Sequence, residues 1–153
     1  MISNTLITLK ATRQHLFKLI EGLSTEQLNK VPAGFNNNII WNVAHMISAQ
    51  QGICYTRAGV PIIVDDKYYT PYRPDTKPTG FVDSAEVENI KELLIRTVDQ
   101  LETDLDKNIF TNYPQWVTRY GVQIRNIEEA VSFLPFHDGM HIGYVMALKR
   151  VIG

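Results

Sequence analysis

Two histidines, His137 and His141, stand four residues apart in Phe133-Leu-Pro-Phe-His137-Asp-Gly-Met-His141-Ile-Gly-Tyr144, within an otherwise apolar run of helical periodicity. On a helix that spacing is about one turn, so both imidazoles leave one face roughly 5–6 Å apart at Cβ. Neutral imidazole is the commonest side-chain metal ligand, and an i, i+4 pair supplies two ligands from one rigid element. A third imidazole from a facing helix completes a three-histidine face. At least one coordination position then stays open for water or substrate, which separates a catalytic zinc site from a closed structural one. His45 is the natural third ligand, because His15 lies among Gln14 and Lys18 and reads as a surface or boundary residue without a role. A lone His-x-x-x-His is weak evidence. Three of only four histidines on core-facing or core-edge helix positions are stronger evidence. The zinc-protease motif His-Glu-x-x-His is excluded, since Asp138 occupies the position of the Glu.

These side chains must be carried by helices. Leu6, Leu9, Leu16, Leu19, Ile20 and Leu23 recur mostly three and four apart and predict a first helix from Ser3, its N-cap, to about Gly22. Ser24-Thr-Glu-Gln27 has the form of a capping box for a short helix to about Lys30. Asn36, Asn37 and Asn38 offer caps for a second long helix from about Ile39 to Ala58. Ile40, Val43, Ala44 and Ile47 form its apolar face, and His45 stands at the edge of that face, one turn after Trp41. Residues 59–82, with four prolines and Tyr68, Tyr69 and Tyr72, cannot be a continuous helix. They read either as a partial lid over the site or as a loop pinned by its tyrosines.

A third long helix spans about Asp83 to Asp106, and 107–125 form a second connection, briefly extended near Val117-Thr-Arg-Tyr120 but without a sheet. Asn126 caps a last helix running to about Arg150, with both histidines inside its apolar stripe and Pro135 bending it just before His137. Four long amphipathic helices predict an all-α four-helix bundle in a single domain, residues 1–153.

Composition narrows the function. The chain has a net charge of −1, with Lys and Arg scattered, so it shows no basic face for nucleic acid. No apolar run approaches membrane-spanning length, and the N-terminus reads as mature protein, without the basic and small-residue marks of a signal peptide. The single Cys54 cannot form an internal disulfide, which agrees with a cytoplasmic location. It lies about 13 Å along the helix from His45 and reads as a buried small hydrophobe. Tyr144 could reach the open metal position or serve as a core tyrosine, and Asn42 could orient His45.

Trp41-Asn-Val-Ala-His45-Met after the Asn-rich cap, with Glu128-Glu-Ala, the His137–Tyr144 stretch and Leu148-Lys-Arg150, resembles the DinB/YfiT-like superfamily along the whole chain. The resemblance implies a four-helix bundle of up-down-down-up topology, with residues 59–82 as the crossover. It also implies a divalent metal, such as zinc or nickel, on His45, His137 and His141, and homodimerisation. Related members include metal-dependent transferases that join low-molecular-weight thiols such as bacillithiol, mycothiol or glutathione to small electrophiles, and a thiol-using maleylpyruvate isomerase. Members often carry Glu where this chain has Asp138, the candidate catalytic base or partner of a ligand. The expectation is a metal-dependent transferase, or a hydrolase using water, acting on a small-molecule substrate. The alternative is a non-catalytic metal-binding or structural, stress-associated bundle.

Overall fold

The computed structural model describes residues 2–153; Met1, where the single-domain reading begins, lies outside them. Helix α1 spans Ile2–Ile20 and buries Leu6, Leu9, Arg13, Leu16 and Ile20, an unbroken three/four-spaced row that includes one charged residue. Ser3 falls within its first turn and is not the cap, because the helix begins before it. Gly22, at φ +78°, carries the chain out through the left-handed region, which costs glycine little. The capping box forms as read: Ser24 Oγ accepts from Gln27 N–H at 3.1 Å and Gln27 Oε1 from Ser24 N–H at 2.9 Å, starting α2 (Thr25–Asn29).

Helix α3 (Ile39–Gln50) is capped by Asn38, whose Oδ1 accepts from Trp41 N–H at 2.8 Å. All twelve of its residues are buried, so the expected single apolar face gives way to a helix enclosed on every side. α2, the crossover and two long helices all pack against it. It continues as a π-helical turn, Gln51–Thr56, in which Arg57 N–H reaches back to Gly52 O at 3.2 Å. Residues 57–83 then cross the bundle through two 3₁₀ turns, Asp66–Tyr68 and Thr70–Tyr72. Buried Tyr68 pins this loop by donating to Glu86 at 2.7 Å.

Asp83 caps α4 (Ser84–Asp106), whose buried row includes Val87, Ile90, Leu94, Val98 and Leu101, as the periodicity predicts. Residues 107–126 hold a small antiparallel hairpin, β1 (Trp116–Val117) with β2 (Gln123–Ile124), where no sheet was expected. Two residues per strand are too few for strand periodicity to show. Asn126 caps α5 (Ile127–Val151), accepting from Glu129 N–H at 2.9 Å, and the helix runs through Pro135.

The result is an all-α bundle in which α1 and α3 each pack against both α4 and α5. No described helix is long and apolar enough to cross a membrane. The apolar core falls into two clusters, one around Leu16, Ile47, Leu94 and Val145, the other around Leu9, Cys54, Leu101 and Leu134. Between them lies a buried polar layer centred on Arg13. Its guanidinium donates to Asp138 Oδ2, Gln50 Oε1 and the Leu94 carbonyl, each at 2.8 Å. Gln50 in turn donates to Thr97 O at 2.8 Å. One arginine thereby ties all four long helices at a single level and fixes their register. A buried ion pair is tolerated when further hydrogen bonds support its charges, and here Thr97 Oγ1 and Met46 O also face Arg13 while His137 Nδ1 faces Asp138.

Candidate metal centre

The centre sits on the flank of that polar layer. α3 delivers His45, and α5 delivers His137 and His141 one turn apart. The sequence reading set both α5 histidines inside the apolar stripe. The structure corrects this: Val131, Leu134, Asp138, Ile142, Val145 and Leu148 are buried, while both histidines are half-buried at the edge facing α3. The middle of the stripe belongs to Asp138, which tolerates full burial because Arg13 meets it there. One ring nitrogen from each of the three histidines lies within 4.8 Å of the others. Ring centroids are 4.5 Å apart for His45–His141, 4.6 Å for His137–His141 and 5.2 Å for His45–His137. Trp41 stacks on His45 at 4.8 Å and 9°, as expected from residues one turn apart.

Hydrogen bonds at the other ring nitrogens fix the tautomers. His45 Nδ1 is 2.6 Å from the Tyr72 carbonyl, which can only accept, so Nδ1 carries the proton and Nε2 the free lone pair. His141 Nδ1 is 2.9 Å from Asn42 Oδ1. Asn42 Nδ2 already donates to Asn37 Oδ1 and Asn38 O at 2.9 and 2.8 Å, so its oxygen must face His141 and accept. His137 Nδ1 faces Asp138 Oδ1 at 3.4 Å, and the carboxylate again accepts. Each imidazole thus has Nδ1 engaged by a carbonyl or carboxylate and Nε2 left as the free donor, the arrangement common in ligating histidines. Burial, outweighing the Tyr72 bond, pushes His45 down to about 4. Burial together with its histidine neighbours pushes His141 down to about 3. Both are neutral at pH 7, the form that binds metal. The donor set therefore fits a divalent first-row ion.

The trio lies in the wall of a cleft of about 1000 Å³ that reaches the surface. Tyr72, Tyr69 and Arg73 show what the crossover does here. Its backbone holds His45, Tyr69 O accepts from Ser48 at 2.8 Å, and Arg73 lines the cleft. The crossover is thus pinned to α3 and also lines the cleft. Tyr144 also lines the cleft, 37% exposed, with its ring edge-on to Phe35 at 5.5 Å, so it is not a core tyrosine. Asn42 holds a histidine of the trio, but that histidine is His141 across the bundle and not His45 on its own helix. Cys54 is fully buried and its thiol is pushed up to about 12 by burial, so it is a small hydrophobe. His15 is exposed.

Asp138 is fully buried, and burial alone would push its carboxyl up. The Arg13 charge and the hydrogen bonds from His137 and Arg13 more than offset that and hold it below the usual carboxylate range. Arg13 itself went unread in the sequence. Its signal was present: position 13 is where the row 6, 9, 16, 20 demands an apolar residue.

The signature of the DinB superfamily matches residues 8–145, which include all three histidines, Arg13 and Asp138. No curated protein matches the chain. With this match spanning most of its length, and a three-histidine cluster at the expected positions, the chain belongs to the DinB superfamily.

Proposed function

We propose that this protein is a divalent-metal-dependent enzyme that joins a low-molecular-weight thiol to a small electrophile, with His45, His137 and His141 holding the metal. The observation that carries the reading is the set of three back-bonded imidazoles whose free nitrogens converge in the wall of an open cleft. A bound zinc or nickel ion would lower the pKa of a thiol or water there, at a position left open by only three protein ligands. The chain's own residues prepare that position. Tyr72 O, Asn42 and Asp138 orient the ligands, and Arg13 keeps Asp138 ionised. Asp138 is a positioning residue in this scheme: enclosed and ion-paired, it reaches the cleft only through His137.

Metal analysis of the purified protein tests the site. Wild type is expected to hold close to one equivalent of divalent ion and His141→Ala less than about a tenth of that; equal, trace contents in both would end the proposal. Turnover across a panel of electrophiles, with and without thiol, separates transfer from hydrolysis. The second reading, a metal-binding bundle without catalysis, has one observation in its favour. Among the described residues the only carboxylate lining the cleft is Asp75, on the exposed crossover. No carboxylate is therefore free beside the histidines to take a proton.

The remaining proposals follow the family likeness: one domain, a cytoplasmic homodimer, and up-down-down-up order. The last is supported by the long crossover between neighbouring α3 and α4, since a parallel step must return the length of the bundle.

A further inference from the structure

The cleft is built asymmetrically in charge. Arg57, Arg73 and Arg119 line it from three separate segments: the end of the π-turn, the crossover and the hairpin. Elsewhere Lys10, Arg13, Lys67, Lys91, Arg96 and Arg125 each have a carboxylate partner, and the cations without one, Lys18, Lys30, Lys77, Lys107, Lys149 and Arg150, line no part of this cleft. Among the described residues, none of the three cleft arginines is ion-paired. In a chain of net charge −1, three unpaired guanidiniums gathered around one cavity are not a consequence of composition.

Two of them are held in place by rings. The Arg57 guanidinium lies 3.7 Å from the centroid of Trp116, and that of Arg73 lies 5.6 Å from Tyr69. Stacking on an aromatic face orients a guanidinium while leaving its in-plane N–H groups free for an oxyanion. Arg119, in the hairpin turn, lines the same cleft as His45 and His141. Between the arginines and the histidines the wall is apolar and aromatic, with Trp116, Tyr120 and Phe133. An anion drawn to the rim would lay an apolar body along these rings with its other end toward the histidines.

We propose that the cleft selects a small organic carboxylate, its charged group held by Arg73 and Arg119 beside Arg57, its apolar body against Trp116 and Phe133, and its reactive end at the three histidines. This deepens the transfer reading and rests on it for the site. The carboxylate can belong to the electrophile or to the thiol.

Equilibrium binding to the full-length protein, followed by fluorescence of Trp41 and Trp116 in the cleft wall, tests it without turnover. One pair of probes is 3-phenylpropionate and 3-phenylpropan-1-ol; the other is 3-mercaptopropionate and 2-mercaptoethanol. We expect the acid to bind at least about tenfold tighter than its neutral counterpart in one pair or both. That advantage should fall below about threefold in the Arg73→Gln/Arg119→Gln variant. Preference confined to the phenyl pair assigns the carboxylate to the electrophile, and preference in the mercapto pair assigns it to the thiol. Equal binding of acid and neutral probe in both pairs overturns the proposal. So does an advantage that the double variant retains, since the anion would then be ligating metal. Running the same comparison on chelator-treated protein keeps the outcome separate from the metal reading: arginine-dependent preference survives there even if no metal binds. Both arginines are exposed, so the variant is expected to keep wild-type helicity.

Discussion

Replacing Arg13 by Met separates what the buried polar layer does for the fold from what it does for the centre. Met fills much of the same volume but donates nothing. In the wild type Asp138 receives Arg13 Nε at 2.8 Å and His137 Nδ1 at 3.4 Å. In Arg13→Met only the longer contact would remain to a fully buried carboxylate. Gln50 Oε1 keeps the Thr97 hydroxyl at 3.3 Å, and the Leu94 carbonyl belongs to a helix, so the unpaired charge dominates the cost. Removing one partner of a buried pair typically costs about 3–5 kcal/mol. At roughly 2–4 °C per kcal/mol for a chain of this size, the melting temperature should drop by roughly 6–20 °C. Arg13→Met/Asp138→Leu removes both charges and should recover most of the loss, since apolar replacement of a buried pair is often neutral or better. His137 nonetheless loses its orienting carboxylate in that variant, so metal affinity should stay about 10–100-fold down. Urea and thermal unfolding of metal-free protein, with chelator competition for the metal, read the two effects separately. A single variant as stable as wild type would refute the energetic argument. A double variant with wild-type metal affinity would refute the orienting role of Asp138.

Two further outcomes follow from the same geometry. Asn42→Leu removes the acceptor behind His141 and should weaken metal binding about tenfold or more, whereas Asn42→Asp, which still accepts, should retain more of it; equal losses in chelator competition would count against the assigned tautomer. In metal-free protein His45 is held down to about 4 and His141 to about 3, against roughly 6.5 in the unfolded chain. The unfolded state then binds more protons across that interval, so stability should decline as pH falls from about 6.5 toward these values. Asp138, held low by Arg13, adds a loss in the same direction as pH passes below the ordinary carboxylate value toward its depressed one. Urea midpoints of His45→Gln should fall less steeply than those of wild type between about pH 6.5 and 4, and parallel curves would refute the assignment.

Much of this protein is written locally. The helices α1, α3, α4 and α5, the caps Asn38 and Asn126 and the Ser24 box depend on residues within a few positions of one another, and so does the one-turn spacing of His137 and His141. Those interactions have short range, and the periodicity of the chain records them directly. The proximity of His45 to that pair was also legible, because core-edge position and family likeness pointed to the same residue.

What only the tertiary structure decided involves partners far apart in the chain. Arg13 meets Asp138 across 125 residues, Asn42 meets His141 across 99, and the Tyr72 carbonyl sets the tautomer of His45 across 27. No periodicity encodes such pairs, because each is satisfied only once the bundle closes. The gathering of Arg57, Arg73 and Arg119 is of the same kind: three exposed side chains that read singly as ordinary surface charges and become a common wall when the π-turn, the crossover and the hairpin are brought around one cleft. The sequence therefore determined which residues could hold a metal. Closure of the bundle determined how each is aimed and what stands opposite.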